Sequence, residues 1–168
     1  GKPRLYVVNV DEEDLPGGGE WAARAAEVAA DEGAPLVVLS ARFEADLAEW
    51  TPEEAAEYRA AAGVDRSGLE ALVRAGYVAL GLITFFTIAG GREVRAWSVR
   101  RGAAAPEAAG QVHTDMERGF IRAEVVNWQT LVEAGGWAPA RERGLAHVEG
   151  RDYVVQDGDV CLFRFSPP

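Results

Sequence analysis

The chain alternates between short apolar runs and Ala-rich amphipathic stretches, and the pattern changes character near residue 81. Leu5 to Val10 is an apolar run ending in Asn9-Val10-Asp11-Glu12-Glu13-Asp14. Such a run predicts a parallel strand covered on both faces. Glu20 to Glu32 places Trp21, Ala25, Val28 and Ala29 at helical spacing, with Gly33 as a stop. Pro35 to Ser40 is a second buried-strand run, so the order is strand, helix, strand, and a parallel α/β sheet follows. Phe43 to Trp50 reads as a short helix. Thr51-Pro52-Glu53-Glu54 combines a cap, a proline at the first helical position and an acidic first turn, so a new helix runs to Ala62. Ser67-Gly68-Leu69-Glu70 opens another, which carries Leu69, Leu72, Val73, Tyr77 and Leu80 on one face and ends near Gly81.

The second half reads differently. Ile83 to Ile88, Gly90-Gly91 and Glu93 to Val99 predict a hairpin, and Pro106 opens a helix towards His113. His113-Thr114-Asp115 makes a polar corner before a strand from Phe120 to Val126. In that strand Phe120, Arg122, Glu124 and Val126 share one face, and Ile121, Ala123 and Val125 the other. Charges on one side predict a wet face. Thr130 to Gly150 is loosely helical and broken at Trp137-Ala138-Pro139, and Tyr153 to Phe165 reads as a second hairpin turning at Asp157-Gly158. Two hairpins flanking a helix resemble a β-grasp arrangement. The expected domains are residues 1–81 and 82–168.

Composition sharpens this division. The 168 residues are 48% hydrophobic, enough for a core in one large or two small domains. The net charge of −10 is uneven: residues 1–81 sum to −9, residues 82–168 to −1 with ten arginines and no lysine. The first part should repel phosphate backbones, while the second can present a local Arg face suited to bidentate contact with phosphate or carboxylate. Arg95, Arg100 and Arg122 are the candidates for RNA or partner contacts. The single cysteine, Cys161, excludes an internal disulfide, fits a reducing cytoplasm and reads as a buried structural thiol. No run of about 18 apolar residues predicts a membrane span, and no signal peptide opens the chain. The start at Gly-Lys-Pro suggests a fragment or a processed piece.

Two strand exits carry the most chemical promise. In a parallel α/β sheet ligands lie beyond the carboxyl ends of the strands, and Asn9 to Glu12 and Ser40 to Arg42 both sit there. An Asn at that place can hydrogen-bond a purine edge, and an acidic residue three positions on can accept from ring or amino N–H groups. P-loop GTPases use Asn-Lys-x-Asp for this task; here Val10 replaces the Lys and Glu12 the Asp. Ser40-Ala41-Arg42 resembles the neighbouring Ser-Ala-Lys loop. No Gly-x-x-x-x-Gly-Lys-Ser/Thr is present, so nothing in the chain cradles phosphates or places magnesium. His113 and His147 lack ligand spacing, no catalytic constellation stands out, and no metal site is expected.

Taken together, Lys2 to Glu12, Gly81 to Thr87, Glu93 to Trp97, Ala108 to Gly110, His113 to Asp115, Glu117 to Val125 and Asp152 to Val160 closely resemble YchF, the Obg-related subfamily of P-loop NTPases. The resemblance implies the closing part of a G domain over residues 1–81 and a TGS domain of β-grasp type over 82–168. It implies base contacts at Asn9, Val10, Glu12, Ser40 and Ala41, with Glu12 accounting for the acceptance of ATP at least as well as GTP. It further implies a cytoplasmic, ribosome-associated ATP- or GTP-binding regulator whose magnesium and hydrolysis belong to the whole protein, this chain alone being inactive. The alternative is a stand-alone RNA- or protein-binding β-grasp module.

Overall fold

The computed structural model describes residues 2–89 and 93–166, and the chain divides into two compact units, Gly1–Leu80 and Gly81–Pro168. In the first, β1 (Tyr6–Asn9) leads through a 3-10 turn (Glu12–Asp14) to α1 (Gly19–Asp31), and β2 (Leu36–Leu39) lies parallel to β1 with Asn9 opposite Leu39. Then come α2 (Ala41–Leu47), α3 (Pro52–Ala61) and α4 (Gly68–Leu80). Alternation along β2 fixes the layers. The start of α1 meets Val38 on one face of the sheet, and the start of α4 meets Leu39 on the other. The Thr51 capping box forms in full: its hydroxyl oxygen accepts from the Glu54 amide, and the Glu54 carboxylate accepts from Thr51. Those contacts hold the Glu54 carboxyl below its ordinary range.

Helical spacing misjudged which faces would be buried here. Trp21 is 75% exposed and Leu69 69%, and Val28, Val73 and Leu80 are exposed too; in α1 only Ala22 and Ala29 are buried. The reason is area. Two four-residue strands present a face roughly 10 Å by 13 Å, shorter than the roughly 20 Å length of a 13-residue helix.

The second unit is one mixed sheet. Strand β3 (Leu82–Ala89) pairs antiparallel with β4 (Glu93–Arg100); helices α5 (Ala105–Val112) and α6 (Thr114–Arg118) follow. Next are β5 (Phe120–Asn127), α7 (Trp128–Ala134), α8 (Trp137–Glu142), β6 (His147–Glu149) and β7 (Asp159–Phe165). The strand order is β4-β3-β7-β5-β6, with β7 parallel to β3 and antiparallel to β5. The core lies between the sheet and α5, where Ala105, Ala108 and Ala109 bury against Ile83, Phe85, Ala123, Val125 and Cys161. Phe163 links the strands through edge-to-face contacts with Phe85 and Phe120, ring centroids 6.1 and 6.2 Å away. The expected turn at Gly90-Gly91 lies outside the described residues.

Several expectations change in this unit. A bulge between Phe120 and Arg122 turns Phe120 to the Ala123 face, so the strand does not alternate from its first residue. The polar corner is itself a helix, α6, which His113 caps by accepting the Asp115 N–H at Nδ1. Trp137-Ala138-Pro139 opens α8 rather than breaking a helix, because proline is tolerated in a first turn. Glu124 and Val126 are buried, so that face is not wet at its centre; β6, unforeseen, borders it.

Nor is Tyr153 to Phe165 a hairpin. Val154 makes only an isolated bridge with Ala104, and β7 pairs elsewhere. Long-range bonds organise the turn: the Asp157 carboxylate accepts from the Thr84 N–H at 2.8 Å, and Asp159 accepts from the Tyr153 hydroxyl at 2.7 Å and the Gln156 N–H at 2.8 Å. Gly158, at φ 85°, leaves the room that the Trp128 ring occupies.

Gly119 ends α6 where the Ser166 N–H donates to its carbonyl, and an added Cβ would collide with the Ser166 carbonyl oxygen. Gly119→Ala is expected to destabilise the second unit by about 2 kcal/mol in urea unfolding. Cys161 is 1% exposed, and burial pushes its thiol well above the ordinary range. Maleimide labelling of the native chain at pH 8 is expected to be no faster than unfolding, becoming rapid only in denaturant.

Candidate nucleotide-base site

The two strand exits named by the sequence meet. Parallel pairing carries Asn9 to the level of Leu39, and the Val10 N–H donates to the Leu39 carbonyl at 3.0 Å. From there the Asn9 Oδ1 accepts the Ala41 N–H at 2.9 Å. Ala41 is the first residue of α2, whose opening amides have no partner within the helix. Ser40, 2% exposed, accepts the Phe43 N–H at its hydroxyl. The helix start is thus capped twice, once by its own chain and once from the neighbouring strand.

This geometry assigns roles atom by atom. Because a backbone N–H can only donate, the oxygen of the Asn9 amide must face Ala41, which leaves Nδ2 as a donor towards the exit. The Ser40 hydroxyl is buried and engaged, so Ser40 contributes by position, and the Ala41 N–H is likewise held by Asn9. Val10 closes the ladder between the strands.

Glu12 lies in the 3-10 turn after β1, and its Oε1 accepts the Tyr58 hydroxyl at 2.9 Å. That contact raises the Tyr58 pKa above its ordinary value. Tyr58 stacks on Phe43 with centroids 5.6 Å apart and meets Trp50 at 5.3 Å. Glu12 therefore keeps one oxygen tied to an aromatic wall and the other available as an acceptor. Asp11, Glu12, Glu13, Arg42 and Asp46 border an open cavity of about 780 Å³. Its predominantly acidic rim suits a ligand edge rich in N–H donors and disfavours phosphate.

Tyr58 was missed by sequence reasoning because 46 residues separate it from Glu12. Its faint signal is the spacing of Ala55, Tyr58 and Ala62 on one face of α3.

The three arginines proposed as one surface do not converge. Arg95 falls on the α5 side of the sheet and pairs with Glu93 at 2.7 Å. Arg100 and Arg122 share the opposite face but occupy β4 and β5, with β3 and β7 between them. Three strand spacings separate them by roughly 14 Å, and they lie at opposite ends of the sheet. Among the described residues, no group of acidic, histidine and cysteine side chains is placed to hold a metal ion, and no helix is long and apolar enough to cross a membrane.

Comparison with known proteins adds a separate line. The family model described as "YchF-GTPase_C: Protein of unknown function (DUF933)" matches residues 82–166. The "Ribosome-binding ATPase YchF" of Bacillus subtilis is 48% identical over 98% of this chain and 45% of its own length. The "Obg-like ATPase 1" of Gallus gallus is 39% identical over 99% of this chain and 42% of its own. Among solved structures, the YchF GTPase of Schizosaccharomyces pombe superposes with a TM-score of 0.81 at 33% identity, over 96% of this chain and 43% of that one. The chain thus spans less than half the length of each of these relatives.

Asn9→Ala is expected to lower the stability of the first unit by about 1 kcal/mol, as loss of a helix cap does. Asn9→Asp keeps an acceptor for Ala41 and removes the donor, so chemical unfolding should find it close to the parent.

Proposed function

Given that the chain belongs to the YchF family, we propose that it is the carboxy-terminal portion of a cytoplasmic, ribosome-associated ATP/GTP-binding protein. It supplies purine-base recognition to a site whose phosphate-binding part lies elsewhere in the whole protein. The observation that carries this reading is the Asn9–Ala41 hydrogen bond, which joins two strand exits into one edge-reading surface. On this reading residues 1–81 close a G domain. Asn9 Nδ2 donates to a ring nitrogen, the free Glu12 oxygen accepts from an amino or ring N–H, and Val10 lies against the ring. Ser40 and Ala41 set the depth of the pocket.

Residues 82–168 form the TGS domain. Parallel central strands β3 and β7, with α5 packed on the sheet, support a β-grasp assignment. Hydrolysis and magnesium belong to the whole protein, because the chain contains no phosphate-binding loop. Association with the ribosome is supported by the names of the bacterial relatives. A second reading, a stand-alone RNA- or protein-binding β-grasp module, draws on the arginine-only basic content of this part.

Two measurements test the nucleotide account. The isolated chain is expected to show no micromolar ATP binding by calorimetry, because it lacks the phosphate contacts; micromolar affinity would overturn the division of labour. In the full-length protein, Glu12→Ala is expected to weaken ATP binding by about tenfold, the effect of losing a hydrogen bond to a charged acceptor. An unchanged affinity would remove Glu12 from the site.

A further inference from the structure

The outer face of the five-stranded sheet carries an arrangement that stability does not account for. Arg122 on β5 and Arg164 on β7 are direct cross-strand partners. Like charges so placed repel, and such pairs weaken a sheet. The Arg122 side chain has no ion pair or hydrogen bond among the described residues. Two residues along the same face, the Glu124 side chain is only 6% exposed. Arg164 NH2 lies 3.5 Å from its Oε1 and Arg141 Nε, on α8, 3.8 Å from its Oε2. No hydrogen bond reaches this carboxylate among the described residues, so charge alone holds it between two guanidinium groups. Arg164 remains 51% exposed and Arg141 66%.

A buried carboxylate flanked in this way acts as an anchor. It orders two guanidinium groups whose side chains stay more than half exposed. Glu124 pairs with Arg141 and Arg164, and among the described residues no other carboxylate lies within ion-pair distance of any of the three arginines, so the cluster keeps an excess of two positive charges.

We propose that Arg122, Arg141 and Arg164, gathered round the buried Glu124 carboxylate, form a binding site for the phosphodiester backbone of single-stranded RNA. Guanidinium groups bind phosphate oxygens bidentately, and a bridging phosphate relieves the Arg122–Arg164 repulsion. Val148, opposite Glu124 on β6 and 66% exposed, and Ile121 at the bulge, also exposed, provide apolar surface beside the charges. Apolar surface beside guanidinium groups can lie against the sugars and bases of a strand, which a purely acidic peptide does not offer. The site deepens the ribosome-associated reading above and replaces its dispersed arginines with a contiguous set.

The test is fluorescence anisotropy of the 168-residue chain with a labelled oligouridylate about a dozen nucleotides long. Replacing Arg122, Arg141 and Arg164 together by Gln should weaken binding at least about tenfold and flatten the log–log salt dependence by about 2, since three phosphate contacts contribute roughly 0.7 each. Arg122 holds no carboxylate, so Arg122→Glu alone probes the site; it should lower affinity several-fold with a melting temperature no lower than the parent's, because the cross-strand repulsion is relieved. Arg95→Gln with Arg100→Gln should leave affinity within twofold. Parent-like affinity of Arg122→Glu and the triple variant overturns the site, and so does competition by polyglutamate as strong as that by unlabelled RNA. Co-sedimentation of the full-length protein with ribosomes separates the two claims. Arginine-dependent RNA binding without co-sedimentation sinks the ribosome reading and leaves the site standing. Co-sedimentation with arginine-independent RNA binding does the reverse.

Discussion

A single hydrogen bond, from the Ala41 N–H to the Asn9 side chain, ties together the two strand exits on which the candidate site depends. Parallel pairing brings β1 and β2 to the same level, but pairing alone leaves two loops free to diverge past their last residues. Asn9 removes that freedom. Its oxygen serves the first amide of α2, an amide the helix cannot satisfy from within. One side chain therefore sets the start of the helix, ties the exits together and, by elimination, leaves its own amino group as the donor of the exit. Local structure and prospective chemistry are here the same contact.

Glu12 extends the logic across the unit. A carboxylate in a mobile acidic turn reads a ligand poorly, since ordering it costs entropy at the moment of binding. Tyr58 takes up part of that cost beforehand, and Phe43 and Trp50 hold Tyr58. The abundance of carboxylates around the cavity also accounts for the division of labour proposed for the whole protein. A surface this acidic suits the N–H-bearing edge of a ligand and disfavours phosphates.

The second unit uses its charges in another way. Its asymmetry lies less in net charge than in where single carboxylates are buried. Asp159 ends as a satisfied acceptor for the Tyr153 hydroxyl and the Gln156 amide, a role that builds the turn into β7. Glu124, equally buried, receives no such bonds among the described residues and orders arginines instead. Two acidic residues of similar burial thus serve opposite ends, and hydrogen-bond supply distinguishes them.

Much of the fold was legible from residues near one another in sequence. Thr51-Pro52-Glu53-Glu54 announced its capping box, Asn9 and Ser40 announced two strand exits, and the Ile83 to Ile88 and Glu93 to Val99 runs announced an antiparallel pair, because caps and alternation depend on neighbours within about four positions. What sequence alone could not decide was set by partners far along the chain. The bulge that turns Phe120 inward is a property of its pairing with β7, not of the strand itself. The cover over Glu124, the Tyr58 grip on Glu12 and the dispersal of Arg95, Arg100 and Arg122 all follow from strand order. A residue's face is local, but what lies opposite that face is decided only when distant segments pack, and both candidate sites are built from such opposing surfaces.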